Sequence, residues 1–462
     1  MPTEMNHRQQ ARKREKRQGF ALLLSLIALM ILAVLVTDLH EVTGQGFSAS
    51  MAARDQMRAE YLAKSGVNLT RMLIGQEKNL RQLVAPLWGM IMQGRPPPQL
   101  PVWRFANVIL EPFANFEGAK ENATDIGFDM DLAEGLGSTG GTFEIQAAAE
   151  NGKISVNDPR LQDLAIGRAN VATPLYSLMG GSPPNPSPNV YDPIFSGFDE
   201  KGRLNTRLDV LANLIDWWDA DEQRTNYDPV LQVVQSSGSE DTDYYREQLD
   251  PYTIKNAPFD TLEELRLVRG VGDDFWASFV EPDMDDPSTR QITIYGGGRV
   301  NPNEGAPYVL LARLCTFSEI RDQPLCSDPT GMERIKFITL VDTARQIGFN
   351  IPWFSRASDF INFVTGSGPL YDRLMPILQA MGATSMMFTP LTLPAQPADL
   401  RRRMQRMFST NANVLTIEST GRVGRSRRTI RTVVTTDEKW IPPPPNAGKM
   451  PPLGIFSYYR ID

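Results

Sequence analysis

The stretch RQGFALLLSLIALMILAVLVTD, residues 17–38, contains an uncharged run from Phe20 to Val36. A helix of that length covers about 26 Å, close to the thickness of a bilayer's hydrocarbon core. The run is longer than the apolar region of an ordinary signal peptide, and Val36–His40 makes a poor cleavage box. We therefore predict a retained membrane-spanning helix, with a cleaved signal peptide as the alternative.

A basic leader precedes the apolar run. Residues 1–19 carry six Lys or Arg and two Glu, which predicts that the N-terminus stays in the cytoplasm and that the bulk of the chain lies outside. The whole chain has a formal charge of −7, so the part after the leader has a charge of −11. This acidic balance argues against nucleic acid or anionic lipid as a main partner.

Histidine usage limits the possible chemistry. The two histidines are His7, in the leader, and His40, at the expected membrane edge. Neither can serve a site in the large external region, which excludes Ser-His and Cys-His nucleophiles and His-based zinc hydrolases there. A carboxylate pair could still act as acid and base, but no pattern indicates one. We predict a protein that is not an enzyme.

The two cysteines, Cys315 and Cys326, would face an oxidising compartment outside the membrane. That compartment favours a single disulfide between them. Two reduced, buried thiols are the alternative.

Small and apolar residues follow the membrane run at heptad-like spacing, which predicts that one helix continues beyond residue 70. The stripe can pack on the chain's own sheet, on other copies or partners, or on each along different lengths. Its members are Ala52, Ala59, Leu62, Gly66, Leu69 and Leu73.

The remaining pattern indicates strands at both ends of a helical region. TFEIQAAAENGKISVND, residues 142–158, alternates on both sides of Asn151-Gly152 and predicts a hairpin. Residues 204 to about 400 are mostly helical in pattern. Residues 414–436 predict two strands about a Gly-rich turn, and GIFSYYRI follows a Pro-rich stretch at 441–452. A β region split by a helical insertion, of class α+β, is the simplest architecture.

Two stretches of the insertion are strongly acidic: LIDWWDADEQR, residues 214–224, and SEDTDYYREQLD, residues 239–250. In and between them, ten carboxylates are opposed by only two arginines, and such a cluster repels itself unless a cation is present. Arg224 stands where an EF-hand would require glycine, so this is not an EF-hand. From spacing alone, calcium and a solvated acidic loop remain equally open.

TLEELRLVRGVGDDFWASFV, residues 261–280, has the pattern of a helix, a Gly270-Val-Gly272 turn and a second helix. Such helix-hairpin-helix units can present backbone amides to DNA phosphates. The surrounding residues are mainly acidic, whereas a phosphate-binding face should be basic. We interpret the unit as a structural module.

Several of these features resemble one family. The leader ending at Gly19 before Phe20 looks like the cleavage site of type IV prepilins. Six motifs resemble, in this order, the general secretion pathway protein K family, the minor pseudopilin at the tip of the type II secretion pseudopilus. They are GKISVN (152–157), LIDWWDAD (214–221), EDTDYY (240–245), NAPFDTLEELRLVRGVG (256–272), RVNPNEGAPYVLLARL (299–314) and STGRVGRSRRTIRTVV (419–434).

The resemblance implies a pseudopilin fold, with a helix on an antiparallel sheet and a large insertion of two hairpin-containing, SAM-like modules. The expected segments are a leader at 1–19, a membrane and spine helix at 20–75 (in the membrane to about 38), pseudopilin parts at 76–203 and 401–462, and the insertion at 204–400. It also implies calcium in the insertion. We expect its ligands to be Asp219, Asp221, Glu222, Glu240, Asp241 and Asp243.

The resemblance further implies a single-pass protein of the Gram-negative inner membrane, cut and methylated at Phe20 by prepilin peptidase. Its expected partners are the I and J minor pseudopilins, then the H subunit and the major pseudopilin G. The expected function is to cap or initiate the periplasmic pseudopilus. The alternative is a membrane-anchored helix-hairpin-helix protein for DNA uptake, or a type IV minor pilin.

The fifth residue after the expected cleavage site is Leu24. Most pilins carry Glu there, where it neutralises the terminal amine of the next subunit. A carboxylate in the membrane is costly unless it is paired. A subunit with nothing above it has no amine to neutralise, so Leu24 fits a filament cap.

We predict cleavage between Gly19 and Phe20, because the basic leader and the apolar run meet there. N-terminal sequencing of the mature protein should begin at Phe20, and Gly19→Val should leave the leader attached. A mature chain that begins at Met1, or beyond Thr37, would contradict this prediction.

Overall fold

The computed structural model describes residues 3–91, 94–114, 140–157, 164–181, 190–198, 202–328, 330–347, 352–380, 382, 384–394, 397–436 and 453–462. The leader's side chains and the Pro-rich stretch at 441–452 lie outside the described residues.

The α-helices, in chain order, are α1 (Thr3–Gly75), α2 (Glu77–Ile91), α3 (Ala106–Ala114), α4 (Leu164–Leu178), α5 (Arg207–Trp218), α6 (Thr242–Arg246), α7 (Asp273–Phe275), α8 (Pro307–Leu314), α9 (Ser318–Arg321), α10 (Pro324–Ser327), α11 (Met332–Ile347), α12 (Ala357–Val364), α13 (Pro369–Ala380) and α14 (Pro397–Met407). The strands are β1 (Thr142–Ala149), β2 (Ile154–Ser155), β3 (Gln223–Asp228), β4 (Val233–Ser239), β5 (Ile292–Thr293), β6 (Val414–Val423), β7 (Ser426–Thr435) and β8 (Ile455–Ile461). The predicted α+β class is confirmed.

Helix α1 has two parts with different surroundings. From Phe20 to Ser50 its side chains are exposed, including the whole apolar run. In the part of the chain that the structure describes, it is the single helix long and apolar enough to cross a membrane. From Ala59 onward, the helix packs on the sheet.

The sheet has the order β1-β6-β7-β8, with every pair antiparallel. The predicted strands at 414–436 are therefore confirmed as β6 and β7. The first strand pairs with β6, across the whole insertion. The segment boundaries expected from the sequence stay predictions.

The hairpin predicted at Asn151-Gly152 is wrong. These residues form a 3-10 turn at Glu150–Gly152, and β2 pairs in parallel with β5 instead of with β1. The Asn151 Oδ1 atom accepts hydrogen bonds from the backbone of Asn413 and Val414, at 2.8 and 2.9 Å, and so fixes the start of β6. The Asn-Gly signal serves a long-range contact here.

Glycines allow the helix and the sheet to approach closely. A Cβ on Gly421 of β6 would overlap the Ala59 carbonyl of α1, and one on Gly66 would overlap the Ser419 hydroxyl. The predicted stripe is therefore used internally from Ala59 onward, whereas Ala52 is exposed. Its leucines, which are Leu62, Leu69 and Leu73, pack partly buried against the sheet core.

Helix is the main regular structure of the insertion, as predicted, and the insertion shares one large hydrophobic core. It also contains the unpredicted hairpin β3–β4. Cys315 and Cys326 form a disulfide, with their Cα atoms 5.6 Å apart, near the core.

The helix-hairpin-helix pattern folds into short elements. A 3-10 helix at Leu262–Leu267 leads to Gly270, which has a φ of 90°, and then to α7 and one π turn at Trp276–Val280. Arg266 pairs with Asp273 at 2.7 Å, and the buried Arg269 pairs with Asp241. Both arginines of this unit are therefore neutralised, and the described residues give it no basic phosphate-binding face.

A buried carboxylate joins the sheet to the insertion. Glu150 accepts bonds from Lys153 at 2.5 Å, from the Thr416 hydroxyl of β6 at 2.6 Å and from the Thr293 hydroxyl of β5. Burial alone would raise the pKa of Glu150, but the Lys153 charge and these hydrogen bonds outweigh it and lower the pKa. Glu150 is therefore held ionised where β1, β5 and β6 meet.

We predict that Glu150→Gln lowers the free energy of unfolding by about 3–5 kcal/mol, because it leaves Lys153 as an uncompensated buried charge. Adding Lys153→Met should restore much of the loss. The matched control is Glu144→Gln, which breaks an exposed pair with Arg422 and should cost at most about 1 kcal/mol. Denaturant titration of the detergent-solubilised chain measures all three; a double variant no more stable than Glu150→Gln would contradict the prediction.

Candidate metal centre

Two elements bring carboxylates together in the insertion. Helix α5 begins at a capping box, in which Thr206 and Asp209 each accept a bond from the other's backbone N–H. Its last turn carries Asp216, and it ends where Asp219 adopts an extended conformation. The spacing of three residues places both carboxylates on the same side of the helix end.

The third carboxylate comes from the end of the hairpin β3–β4. Pairing of Gln223 with Ser239 brings the end of β4 back to the start of β3, and the Glu240 N–H donates to the Glu222 carbonyl at 3.3 Å. Asp216, Asp219 and Glu240 are all buried, and one carboxylate oxygen from each lies within 4.8 Å of the others.

The cluster contains more negative charge than its protein surroundings neutralise. Arg168 of α4 lies 3.0 Å from Asp219, and it also pairs with the partly exposed Asp221 at 2.5 Å. The Asp216 carboxylate accepts a bond from the Thr225 N–H at 2.8 Å. Arg168 is therefore the one guanidinium within ion-pair distance of the three buried carboxylates and the fourth at their edge, and Arg224, which pairs with Asp209, acts on Asp216 from farther away.

Burial raises the pKa of all three carboxyls, and the neighbouring carboxylates raise two of them further. The pKa of Asp216 rises to about 6, that of Asp219 to about 7 and that of Glu240 to about 8. Two buried oxygens, Asp219 Oδ1 and Glu240 Oε1, have no hydrogen-bond partner among the described residues. Buried acceptors of this kind need either a proton or a cation.

This donor set fits a hard divalent cation such as calcium, which takes six to eight oxygen ligands in flexible geometry. Asp216, Asp219 and Glu240 would hold it, and each supplies a carboxylate. The described part of the cluster contains no His or Cys, so it does not suit zinc or copper.

The structure divides the six predicted ligands. It brings Asp219 and Glu240 together, and Asp221 lies at the edge of the cluster, paired with Arg168. It does not bring in Asp241, which pairs with Arg203 and Arg269, or Asp243, which is exposed. The side chain of Glu222 is also exposed.

Asp216 is not among the six ligands predicted from the sequence. The sequence feature that could have identified it is its position three residues before Asp219, at the end of one helix. Arg168 left no signal in the sequence, because it reaches the cluster from α4, some fifty residues earlier in the chain.

No family model and no curated protein matches the chain. Among solved structures, the chain is similar to the crystal structure of the GspK–GspI–GspJ complex from the type 2 secretion system of enterotoxigenic Escherichia coli. The identity is 11% and the TM-score is 0.41, over 91% of this chain and 99% of that chain. Values this low do not establish a family, so membership of the pseudopilin K family is a proposal.

We predict that calcium raises the melting temperature and that the increase grows with pH. A carboxyl whose pKa is raised on folding binds more protons in the folded state than in the unfolded state. Without metal, the folded protein therefore loses stability as the pH rises from about 4 towards about 8. Calcium should add about 2.7 kcal/mol at a hundredfold excess over Kd. Melts at pH 5.5 and pH 8, with calcium and with chelator, measure both effects.

Glu240→Gln should reduce the calcium effect and flatten the pH dependence in chelator, since it removes one titrating ligand. The matched control is Asp243→Asn, which removes a nearby exposed carboxylate and should leave both unchanged. Equal melting temperatures with calcium and with chelator at pH 8 would show that the cluster binds no calcium and that its carboxyl groups are instead neutralised by protons.

Proposed function

We propose that this chain is a non-enzymatic minor pseudopilin that caps or initiates the periplasmic pseudopilus of a type II secretion system. The observation that carries the proposal is the construction of α1. An exposed apolar segment from Phe20 to Val36 continues without a break into a helix that packs on an antiparallel sheet. Such a helix suits a subunit that is stored in a membrane and then packed beside similar helices.

The position at the tip is supported by Leu24 and by the size of the insertion. Leu24 stands where a carboxylate would neutralise the terminal amine of the subunit above. The chain therefore suits the end of a filament better than its middle. The insertion stands between β1 and β6 and contains most of the buried core. A domain of this size would obstruct tightly packed helical layers.

In this proposal, prepilin peptidase removes the leader, and the anchor holds the chain in the inner membrane with its bulk in the periplasm. The partners are the I and J minor pseudopilins, followed by the H subunit and the major pseudopilin. Calcium at Asp216, Asp219 and Glu240 has a structural role, because the site ties the end of α5 to the end of β4.

The test is co-purification of the full chain with the I and J pseudopilins co-expressed from the same genome. Each candidate is also offered alone, and the major pseudopilin alone serves as the control. A ternary complex that forms in preference to the pair with the major subunit supports a tip complex. Purification of the chain without either minor subunit would contradict it.

We also predict that Leu24→Glu does not improve assembly and impairs extraction from the membrane, because an unpaired carboxylate there costs about 2.5–3.5 kcal/mol on insertion scales. The matched control is Leu24→Ile, which keeps the apolar character. Filament counts and the fraction of chain left in the membrane are the measurements. Labelled chain found along whole filaments, and not at one end, would defeat the capping role.

A further inference from the structure

The turn between β6 and β7 is rich in arginine. Arg425, Arg427 and Arg428, here called the basic turn, lie at or beside this turn, and the first two are exposed. Within the described ranges, none of the three forms an ion pair or a side-chain hydrogen bond, whereas the neighbouring Arg422 pairs with Glu144 at 3.0 Å. Within the described ranges the three arginines of the basic turn therefore have no direct ion pair, although the Asp55 carboxylate of α1 lies near Gly424 in the same turn.

The basic turn lies at the end of the sheet that is closest to the apolar run. Strand β6 runs opposite to α1, because Ser419 meets Gly66 and Gly421 meets Ala59. A Cβ on Gly424, in the turn itself, would lie 4.0 Å from the Asp55 carboxylate. The exposed section of α1 that precedes Asp55 leads directly to the expected membrane.

An upright helix would hold the basic turn away from the bilayer. From Val36 to Asp55 the helix rises about 28 Å, whereas the headgroup layer is only about 5–7 Å thick and charges are screened over about 8 Å. Gly44 and Gly46 interrupt this section, and no atom lies within 4 Å of the position where either would carry a Cβ. Glycine weakens a helix, so bending there can lower the turn to the surface.

Net charge does not decide this contact. The part of the chain after the leader has a charge of −11, which disfavours general attraction to anionic lipid. Because screening confines interactions to about 8 Å, a contact depends on the charges that reach the surface first. On α1 the nearest charges are Asp38 and Glu41, beside the anchor itself, and on the sheet they are the three arginines of the basic turn. The anchor keeps the bilayer at a high effective concentration for these arginines.

We propose that, in the unassembled chain, the basic turn docks on the anionic headgroups of the bilayer that holds α1. This inference rests on the proposed function only in requiring a retained anchor. Docking would hold the sheet and insertion against the membrane until assembly lifts them away. An acidic protein surface or a nucleic acid could also meet three arginines, but neither is tethered to this chain.

The test uses the full chain in lipid nanodiscs, with a fluorophore at Ser426→Cys and a quencher on lipid headgroups. The native cysteines are buried in the disulfide and do not compete for the label. We expect strong quenching in discs with about one-third anionic lipid and little in zwitterionic discs. Raising salt from 0.05 to 0.5 M shortens the screening length from about 14 Å to about 4 Å and should abolish the quenching.

The triple variant Arg425→Gln, Arg427→Gln and Arg428→Gln, which removes the charges of the basic turn, should remove the quenching in anionic discs. The matched control removes three exposed arginines outside the basic turn, with Arg246→Gln in the insertion and Arg402→Gln and Arg406→Gln in α14, and should leave the quenching intact. A fluorophore at Leu249→Cys, on a 98% exposed residue of the insertion, reports general crowding. Gly44→Ala with Gly46→Ala should lower the quenching by stiffening α1.

Co-elution of the chain with the discs separates the two proposals. A chain that does not co-elute lacks a retained anchor, and the proposed function then fails together with the docking. A chain that co-elutes but is quenched equally in both lipids, or equally in the arginine variant and its control, overturns the docking alone. A rise in the fluorophore's anisotropy on addition of duplex DNA to zwitterionic discs, absent in the arginine variant, would assign the basic turn to nucleic acid and overturn the docking.

Discussion

The fold depends on one buried carboxylate. Glu150 lies where the first strand ends, and it receives hydrogen bonds from β5 in the insertion and from β6 in the sheet. A carboxylate out of water is stable only with a charge partner and satisfied oxygens, and Lys153 with two hydroxyls supplies both. A second set of ion pairs extends the junction. Arg290, next to β5, binds Glu281 of the insertion at 2.6 Å and Glu418 of β6 at 3.1 Å. The sheet and insertion are therefore joined by buried polar groups, and removing any one of these groups leaves another without its partner.

Buried charge has a different outcome at the metal centre. At Glu150 the chain provides a lysine beside the carboxylate, whereas three carboxylates around Asp219 share one guanidinium. The first arrangement is complete within the protein and lowers the pKa of its acid; the second raises three pKa values and leaves oxygens without partners. The same rule, that buried charge must be compensated, explains the complete pairing at Glu150 and makes the cluster around Asp219 a candidate cation site.

Local patterns in the sequence predicted the parts of the structure that local forces decide. The alternation in β6 and β7 and the Gly-rich turn between them made that hairpin predictable, and the apolar run defined α1. The partner of β1 was not predictable, because Asn151-Gly152 has a local hairpin signature while its amide is used to fix β6. The hairpin β3–β4 was missed because QRTNYD and VVQSSGS carry little apolar alternation. At the metal centre the acidic stretches were visible, but the selection of Asp216 over Asp241 depends on arginines from distant elements.

The pairing of β1 with β6 also sets an order in time. Glu150 and Thr416 are 266 residues apart, so their contact cannot form until nearly the whole chain exists. At about 5–20 residues per second, β1 waits roughly 13–53 s for its neighbour, and closing so long a loop is slow. During that interval an open strand edge invites wrong pairing, and α1 and α3 are the helices already made that can cover β1. Helix α1 therefore gains its complete sheet only at the end of synthesis, and an incomplete chain lacks the strands against which α1 packs.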